Sequence, residues 1–266
     1  MTIPKGSDKV YIDPRSHPTW MFRKFLDAGI AVAGIDVGES YGSPDGRAIF
    51  TSFYRELVGK GRFSAKPCLL ARSRGGLMLY NWAVEHPRSV GCIAGIYPVC
   101  DLRSYPGIDK ASGAYGMTPE ELTRSLARHN PVDRVEPLAK AGVPVFHIHG
   151  DVDKVVPLES NSAELARRYR QFGGEMTLKV IKGQGHNMWP GWFQCQELVD
   201  FVIAHAKAQR RTAQQSNEAG PKRSYSTRFQ LDEDPISEGG KWINGGKDGL
   251  DWYNVIIRNG VAYGAV

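Results

Sequence analysis

Between residues 28 and 205 the chain alternates short, continuously apolar runs with stretches of helical spacing. Residues 29–35, GIAVAGI, predict a strand that ends in a loop at Asp36, Val37 and Gly38. Further strands are predicted at 67–71, 90–99, 143–149 and 176–181. Helical spacing covers 48–60, 76–85 (ended by His86 and Pro87), 158–172 and 193–207. Strands without polar alternation are buried on both faces, and helices between them supply the crossovers of a parallel sheet. The fold class predicted is therefore α/β, with a doubly wound, mostly parallel sheet flanked by helices.

Residues 101–142 break this rhythm. They hold Tyr105, Pro106, Gly107, Tyr115 and Gly116, then a helix near 118–128. The stretch reads either as a lid over the C-terminal ends of the strands or as ordinary connecting helices. Residues 206–228 are polar and lack an apolar period, as a linker does. Beyond them 229–266 is rich in glycine and aromatics, with alternating runs at 253–257 and 261–263 that predict antiparallel strands. The expected domains are 1–205, a linker at 206–228, and a partial β-rich unit at 229–266. Those last 38 residues are few for an all-β domain, so the chain is expected to stop inside its second domain.

Composition narrows the function classes. Hydrophobic residues make up 41% and charged residues 23%, as in a globular domain. The net charge is +6, but the basic residues are dispersed, densest at Arg167, Arg168 and Arg170 and at Arg210 and Arg211. Without a basic patch, no nucleic-acid partner is expected. No run of about 18 apolar residues exists, so no membrane span is expected. The N-terminus has no apolar signal-peptide core and reads as cytoplasmic as written, which leaves localisation open. Cys68, Cys92, Cys100 and Cys195 show no C-x-x-C spacing, so neither a metal nor a redox motif is expected. A Cys100–Cys195 disulfide stays open.

The chemistry gathers at three loops, each after its own strand. Ala71-Arg72-Ser73-Arg74-Gly75-Gly76 places a serine between small residues, after a strand and before a helix. A nucleophile elbow needs that arrangement, because strand and helix approach closely around a strained turn. The backbone N–H of Arg74 then lies at a helix N-terminus, suited to an oxyanion. The plainer reading is a serine beside a glycine turn. His149-Gly150-Asp151-Val152-Asp153 follows the 143–149 strand and offers a carboxylate to orient a base. Asp153 is the candidate and Asp151 its rival, and either can instead cap the helix near 158. Gly183-Gln184-Gly185-His186 follows the 176–181 strand and presents an imidazole in a small-residue loop. His147 and His149 lie inside a strand, where histidines pack. The order Ser73, Asp153, His186 turns three short patterns into one argument, since it matches the Ser…Asp…His chain order of one hydrolase fold.

On ARSRGG around Ser73, HGDVDKVVP around Asp153 and GQGHNMW around His186, residues 20–205 resemble the α/β-hydrolases. The likeness falls near the prolyl-oligopeptidase-like and carbohydrate-esterase-like branches, and DAGIAVAGIDVGESYGSP at 27–44 resembles the strand and loop before the nucleophile. The resemblance implies acyl hydrolysis without a cofactor, with the triad at the C-terminal edge of the sheet. It also implies earlier strands and a second oxyanion loop. Here about 28 residues precede the first clear strand, so the earliest strands are expected to be absent. Lys9 to Ile12 reads as a remnant strand leading to that loop. Arg15, Ser16 or His17 would then give the second N–H, and Pro14 has none to give. The tail 229–266 loosely resembles the start of a concanavalin-like jelly roll, which tilts the substrate toward a glycan ester.

The function expected is a serine hydrolase cleaving an ester through an acyl-enzyme, with a carbohydrate ester as one substrate class. The rivals are a prolyl-oligopeptidase-like peptidase and a non-catalytic glycan-binding protein with an incomplete hydrolase domain. Glu39, Ser40 and Tyr41 are expected to line the pocket. Trp189 and Trp192 are candidates to stack on a sugar or aryl group, with core packing favoured for Trp192. Arg72 and Arg74 would either attract an acidic substrate or face solvent. The partner expected is a small-molecule or glycan ester, and oligomeric state is left open.

Overall fold

Four of the apolar runs become strands of one sheet: β1 (Cys68–Arg72), β2 (Cys92–Ile96), β3 (Val145–Gly150) and β4 (Met176–Ile181). The computed structural model describes residues 18–59, 63–217, 255–258 and 261–264. The strands lie in the order β1-β2-β3-β4 and every pair is parallel. The helices are α1 (Pro18–Asp27), α2 (Pro44–Gly59), α3 (Gly75–Glu85), α4 (Ile108–Ser112), α5 (Pro119–Ser125), α6 (Glu136–Lys140), α7 (Glu164–Gln171) and α8 (Gln196–Asn217).

Side-chain alternation along the strands divides the core in two. Leu69, Ala71, Ile93 and Val145 meet residues of α3, α6 and α7, among them Trp82, Leu138 and Leu165. Cys92, Ala94, Ile96, Phe146 and Ile148 meet Met21 and Phe25 of α1 and Leu198, Val199 and Val202 of α8. Helices therefore cover both faces, which is the doubly wound arrangement of the α/β-hydrolase fold. Cys100 belongs to the first core and Cys195 to the second, and all four cysteines are free thiols, so the two do not pair.

Three expectations need correction. The run at 29–35 forms no strand, although Ile30 and Val32 pack against one core and Ile35 and Val37 against the other. Burial of alternate residues is thus satisfied, but a strand also needs a ladder partner, and among the described strands β1 pairs only with β2. Residues 206–217, expected to open a linker, extend α8 as helix. Their Ala, Lys, Gln and Arg are strong helix formers, and backbone propensity does not require an apolar face. The helix expected over 158–172 begins instead as a π turn at Glu159–Ala163 before α7. That turn carries Asn161 and Ser162 inward, both fully buried.

Residues 101–142 form α4 to α6 joined by short 3₁₀ turns. Leu102, Ala111, Tyr115 and Leu122 make a third apolar cluster with Tyr41, Leu77, Val99 and Val156. The segment is a packed layer at the C-terminal end of the sheet, secured by the Tyr115 hydroxyl donating to the Tyr41 carbonyl at 2.9 Å.

The chain divides into two units, Met1–Gln215 and Ser216–Val266. In the second, β5 (Val255–Arg258) and β6 (Val261–Gly264) pair antiparallel. The rest of 229–266, and Lys9 to Ile12, lie outside the described residues. Among the described residues no helix is long and apolar enough to cross a membrane.

Candidate active site

Ser73 follows β1 directly and adopts φ 48°, a left-handed conformation that costs a non-glycine residue about 1–2 kcal/mol. Neighbouring backbone holds it there. Its N–H donates to the Ile96 carbonyl at 3.1 Å, and its own carbonyl accepts from Gly76 at 2.9 Å and Val99 at 2.8 Å. Gly76 cannot carry a side chain: a Cβ there would collide with the Val99 carbonyl oxygen and lie 2.8 Å from Pro98 Cβ. The requirement for a small residue thus falls on Gly76, through the approach of α3 to the backbone that follows β2, and not on Gly75, where a Cβ would meet nothing within 4 Å. Arg74 sits at the N-terminus of α3, where backbone N–H groups have no intrahelical acceptor.

His186 lies in the loop after β4. Its Nε2 is 2.9 Å from Ser73 Oγ and its Nδ1 is 2.8 Å from Asp153 Oδ2. Asp153 comes from the loop after β3, and its side chain is wholly buried. Its Oδ1 accepts from the N–H groups of Val155 at 2.9 Å and Val156 at 2.8 Å. Burial alone would raise the Asp153 pKa. His149, the Val156 N–H and His186 outweigh burial and hold the carboxyl at about 2, so it is ionised at neutral pH.

Asp151 takes a different part. It is exposed, and its Oδ1 accepts from the Gly183 N–H at 2.6 Å, joining the acid loop to the histidine loop. The two loops also touch at Gly150, where a Cβ would collide with the Gln184 carbonyl oxygen.

The structure brings Glu39 and Tyr41 to the elbow, but as partners of protein groups. Glu39 pairs with the Arg74 guanidinium and accepts from the Tyr41 hydroxyl at 2.8 Å. The Tyr41 bond, then the Arg74 charge, holds the Glu39 carboxyl below its usual range. Burial, then the bond to Glu39, pushes the Tyr41 phenol up to about 12. Ser40 Oγ faces Met78 Sδ at 3.7 Å. Trp192 is fully buried, its indole N–H donating to Asn187 Oδ1 at 2.9 Å, whereas Trp189 stays 39% exposed beside it. Arg15, Ser16 and His17, the candidates for a second oxyanion donor, lie outside the described residues.

Arg72 does not face solvent freely. Its Nε donates to the Tyr97 hydroxyl at 3.0 Å, and its guanidinium lies 5.4 Å from the Phe193 ring centroid. Tyr97 is a residue that sequence reasoning missed. It is fully buried, adopts φ 36°, and its ring lies 4.4 Å from that of His186. Its hydroxyl donates to the Asn187 carbonyl at 3.1 Å, fastening the residue next to His186. Tyr41, Ser73 and Tyr97 are the non-glycine residues with positive φ among those described, and all three belong to this site. Strained backbone clusters where function needs a defined geometry. No motif marks Tyr97; its only signal is a tyrosine at the end of a buried strand, before Pro98.

Chemically, the arrangement can take the hydroxyl proton of Ser73 onto a neutral His186 and stabilise the resulting imidazolium with Asp153. Among the described residues no group of three or more His, Cys, Asp or Glu side chains is placed to hold a metal.

A Bacteroides ovatus protein described as a dipeptidyl aminopeptidase IV superposes with a TM-score of 0.52 at 16% identity, over 61% of this chain and 22% of its own. A puromycin-hydrolysing peptidase of Mycobacterium tuberculosis gives 0.47 at 17% identity, over 57% of this chain and 24% of its own. A thermostable esterase gives 0.43 at 17% identity, over 59% of this chain and 36% of its own. At 16% identity the first likeness is one of fold alone, and the chain spans less than a quarter of the two peptidases. No curated protein matches significantly, and none of these matches supports the concanavalin-like resemblance of 229–266. The prolyl oligopeptidase family model matches residues 57–208, which hold Ser73, Asp153 and His186. With more than half of its 266 residues inside that match, the chain belongs to the prolyl oligopeptidase family.

Proposed function

We propose that this chain carries the reaction centre of a serine hydrolase that cleaves peptide bonds. Ser73 is the nucleophile, His186 the general base and then the acid, and Asp153 the group that fixes the His186 tautomer. Ser73 Oγ attacks the carbonyl carbon as its proton passes to His186 Nε2. The Arg74 N–H receives the developing oxyanion. His186 then gives the proton to the leaving amine, and water repeats the sequence to free the acyl group.

The family match that encloses all three residues carries this reading. It favours amide over ester as the natural substrate and displaces the carbohydrate ester expected from the sequence. The Bacteroides ovatus neighbour, described as an aminopeptidase, points the same way. Trp189, 39% exposed and in the same loop as His186, is assigned to meet an apolar substrate group.

The test compares dipeptidyl p-nitroanilides with p-nitrophenyl acetate, using the chain and Ser73→Ala. Anilide turnover that disappears in Ser73→Ala supports the peptidase. Turnover of the ester alone, lost in Ser73→Ala, would return the function to an esterase. Equal rates in both proteins, with no fluorophosphonate label at Ser73, would refute a serine hydrolase altogether.

A further inference from the structure

Behind Asp153 lies a second set of polar side chains that the mechanism above does not use. Tyr80 of α3, His147 and His149 of β3, and Ser162 of the π turn are all fully buried. They form one continuous line. Tyr80 Oη is 2.7 Å from His147 Nε2, and His147 Nδ1 is 2.9 Å from Ser162 Oγ. Ser162 Oγ is 2.8 Å from His149 Nδ1, and His149 Nε2 is 2.8 Å from the Val156 carbonyl oxygen. His149 Nε2 also faces Asp153 Oδ2 at 3.6 Å, beyond hydrogen-bond length but close enough for its N–H dipole to act on the carboxylate.

With both imidazoles neutral, the protons in this line have a single consistent arrangement. A carbonyl oxygen only accepts, so the hydrogen of His149 sits on Nε2. Its Nδ1 must then accept, and the donor is the Ser162 hydroxyl. With its one proton used, the Ser162 oxygen accepts from His147 Nδ1–H. His147 Nε2 in turn accepts from the Tyr80 hydroxyl. Every donor in that arrangement points toward the acid loop. Burial, then His149, pushes the His147 pKa down to about 3, which keeps that imidazole neutral at physiological pH. Gly95 leaves the room this requires: a Cβ there would lie 2.5 Å from the His147 ring.

We propose that His149 is a positioning residue of the triad, set in its Nε2–H tautomer by the buried line Tyr80–His147–Ser162 so that it clamps the acid loop at Val156. The Val156 N–H holds Asp153 Oδ1 while the Val156 carbonyl is held by His149. One residue therefore transmits the alignment of the buried line to the carboxylate, and the His149 N–H adds to the field that keeps Oδ2 ionised and turned to His186. The π turn has a function in this scheme, since its extra residue brings Ser162 between the two histidines. The inference rests on the proposed roles of Ser73, Asp153 and His186.

The test uses the full chain with His149→Leu, His149→Gln and Ser162→Ala, each checked by thermal melting. The glutamine amide reaches as far as Nε2 and can donate to Val156, whereas leucine cannot. His149→Leu is expected to lower kcat roughly 10- to 100-fold, with KM held within about twofold, and His149→Gln to restore most of the loss. The low-field proton resonance of the His186–Asp153 hydrogen bond is expected to shift in His149→Leu and Ser162→Ala and to stay in His149→Gln. A folded His149→Leu with kcat within about twofold of wild type, or a glutamine variant no better than leucine, overturns the proposal. If leucine prevents folding, Ser162→Ala decides, and an unshifted resonance there overturns it. A wild type whose turnover is unaffected by Ser73→Ala fails the proposed function instead, and the resonance still reads the positioning role independently.

Discussion

Asp153→Asn exchanges one oxygen for an amide nitrogen with almost no change in volume, and the structure dictates which one. Two backbone N–H groups, from Val155 at 2.9 Å and Val156 at 2.8 Å, point at the Oδ1 position, so the amide oxygen must stay there. The NH2 is driven to the Oδ2 position, 2.8 Å from His186 Nδ1. Two N–H groups cannot face each other, so His186 must carry its proton on Nε2, 2.9 Å from Ser73 Oγ. That N–H donates to the serine instead of taking its proton. In a Ser-His-Asp triad the wrong tautomer costs about 10⁴ in kcat, or about 5.5 kcal/mol. Stability falls far less. A wholly buried carboxyl held at about 2 against an ordinary 3.8 contributes at most about 2.5 kcal/mol at neutral pH, or about 5–10 °C in Tm. The assay is kcat and KM on a chromogenic dipeptidyl substrate, with melting curves, for wild type, Asp153→Asn and Asp151→Asn. Asp151 is exposed and bonded to Gly183, so its amide variant is expected to keep kcat within about tenfold of wild type. A folded Asp153→Asn with kcat within about tenfold of wild type would refute the reasoning, as would an Asp151→Asn with the larger loss.

Three further outcomes are expected. Gly76→Ala sets a Cβ against the Val99 carbonyl and should cost about 1–3 kcal/mol, read from the urea midpoint; an unchanged midpoint would show that α3 shifts freely. Tyr97→Phe keeps the ring against His186 but leaves Arg72 Nε and the Asn187 carbonyl without the hydroxyl, so stability should fall by about 1–3 kcal/mol and kcat more than KM. Acid should destabilise the fold in two stages. The unfolded chain protonates at His147 near its ordinary 6.5 while the folded chain resists to about 3, so stability declines across that window. The Asp153 contribution is present above about pH 4 and is lost as pH falls through about 2. Melting temperatures of wild type and Asp153→Asn should therefore converge toward pH 2, and a constant gap would count against the carboxylate.

Much of the fold was legible in local pattern. The apolar runs of β1 to β4 and the helical spacing around α2, α3 and α7 announced a sheet covered on both faces. Ser73, Asp153 and His186 were each found from loop context and chain order, because an elbow and a loop histidine leave small residues beside them. What local pattern could not decide depends on partners distant in sequence. Residues 29–35 carry a strand's apolar content, yet they form no ladder among the described strands. Asp153 was the sequence's candidate and Asp151, in the same loop, its close rival. Only the turn that gives Asp153 two backbone donors, and Asp151 the Gly183 N–H, aims one carboxylate at His186 and the other across the surface. The roles of Tyr97 and of the Tyr80–His147–Ser162–His149 line were not legible, since a buried polar residue looks like any other until its partners are known. The sequence by itself determined which chemical groups the chain carries, in what order and on which kind of loop, because those follow from periodicity and residue type. Tertiary structure alone decided which groups meet, because hydrogen bonds such as that of 2.9 Å between Ser73 and His186, 113 residues apart, depend on how the sheet and its loops are stacked.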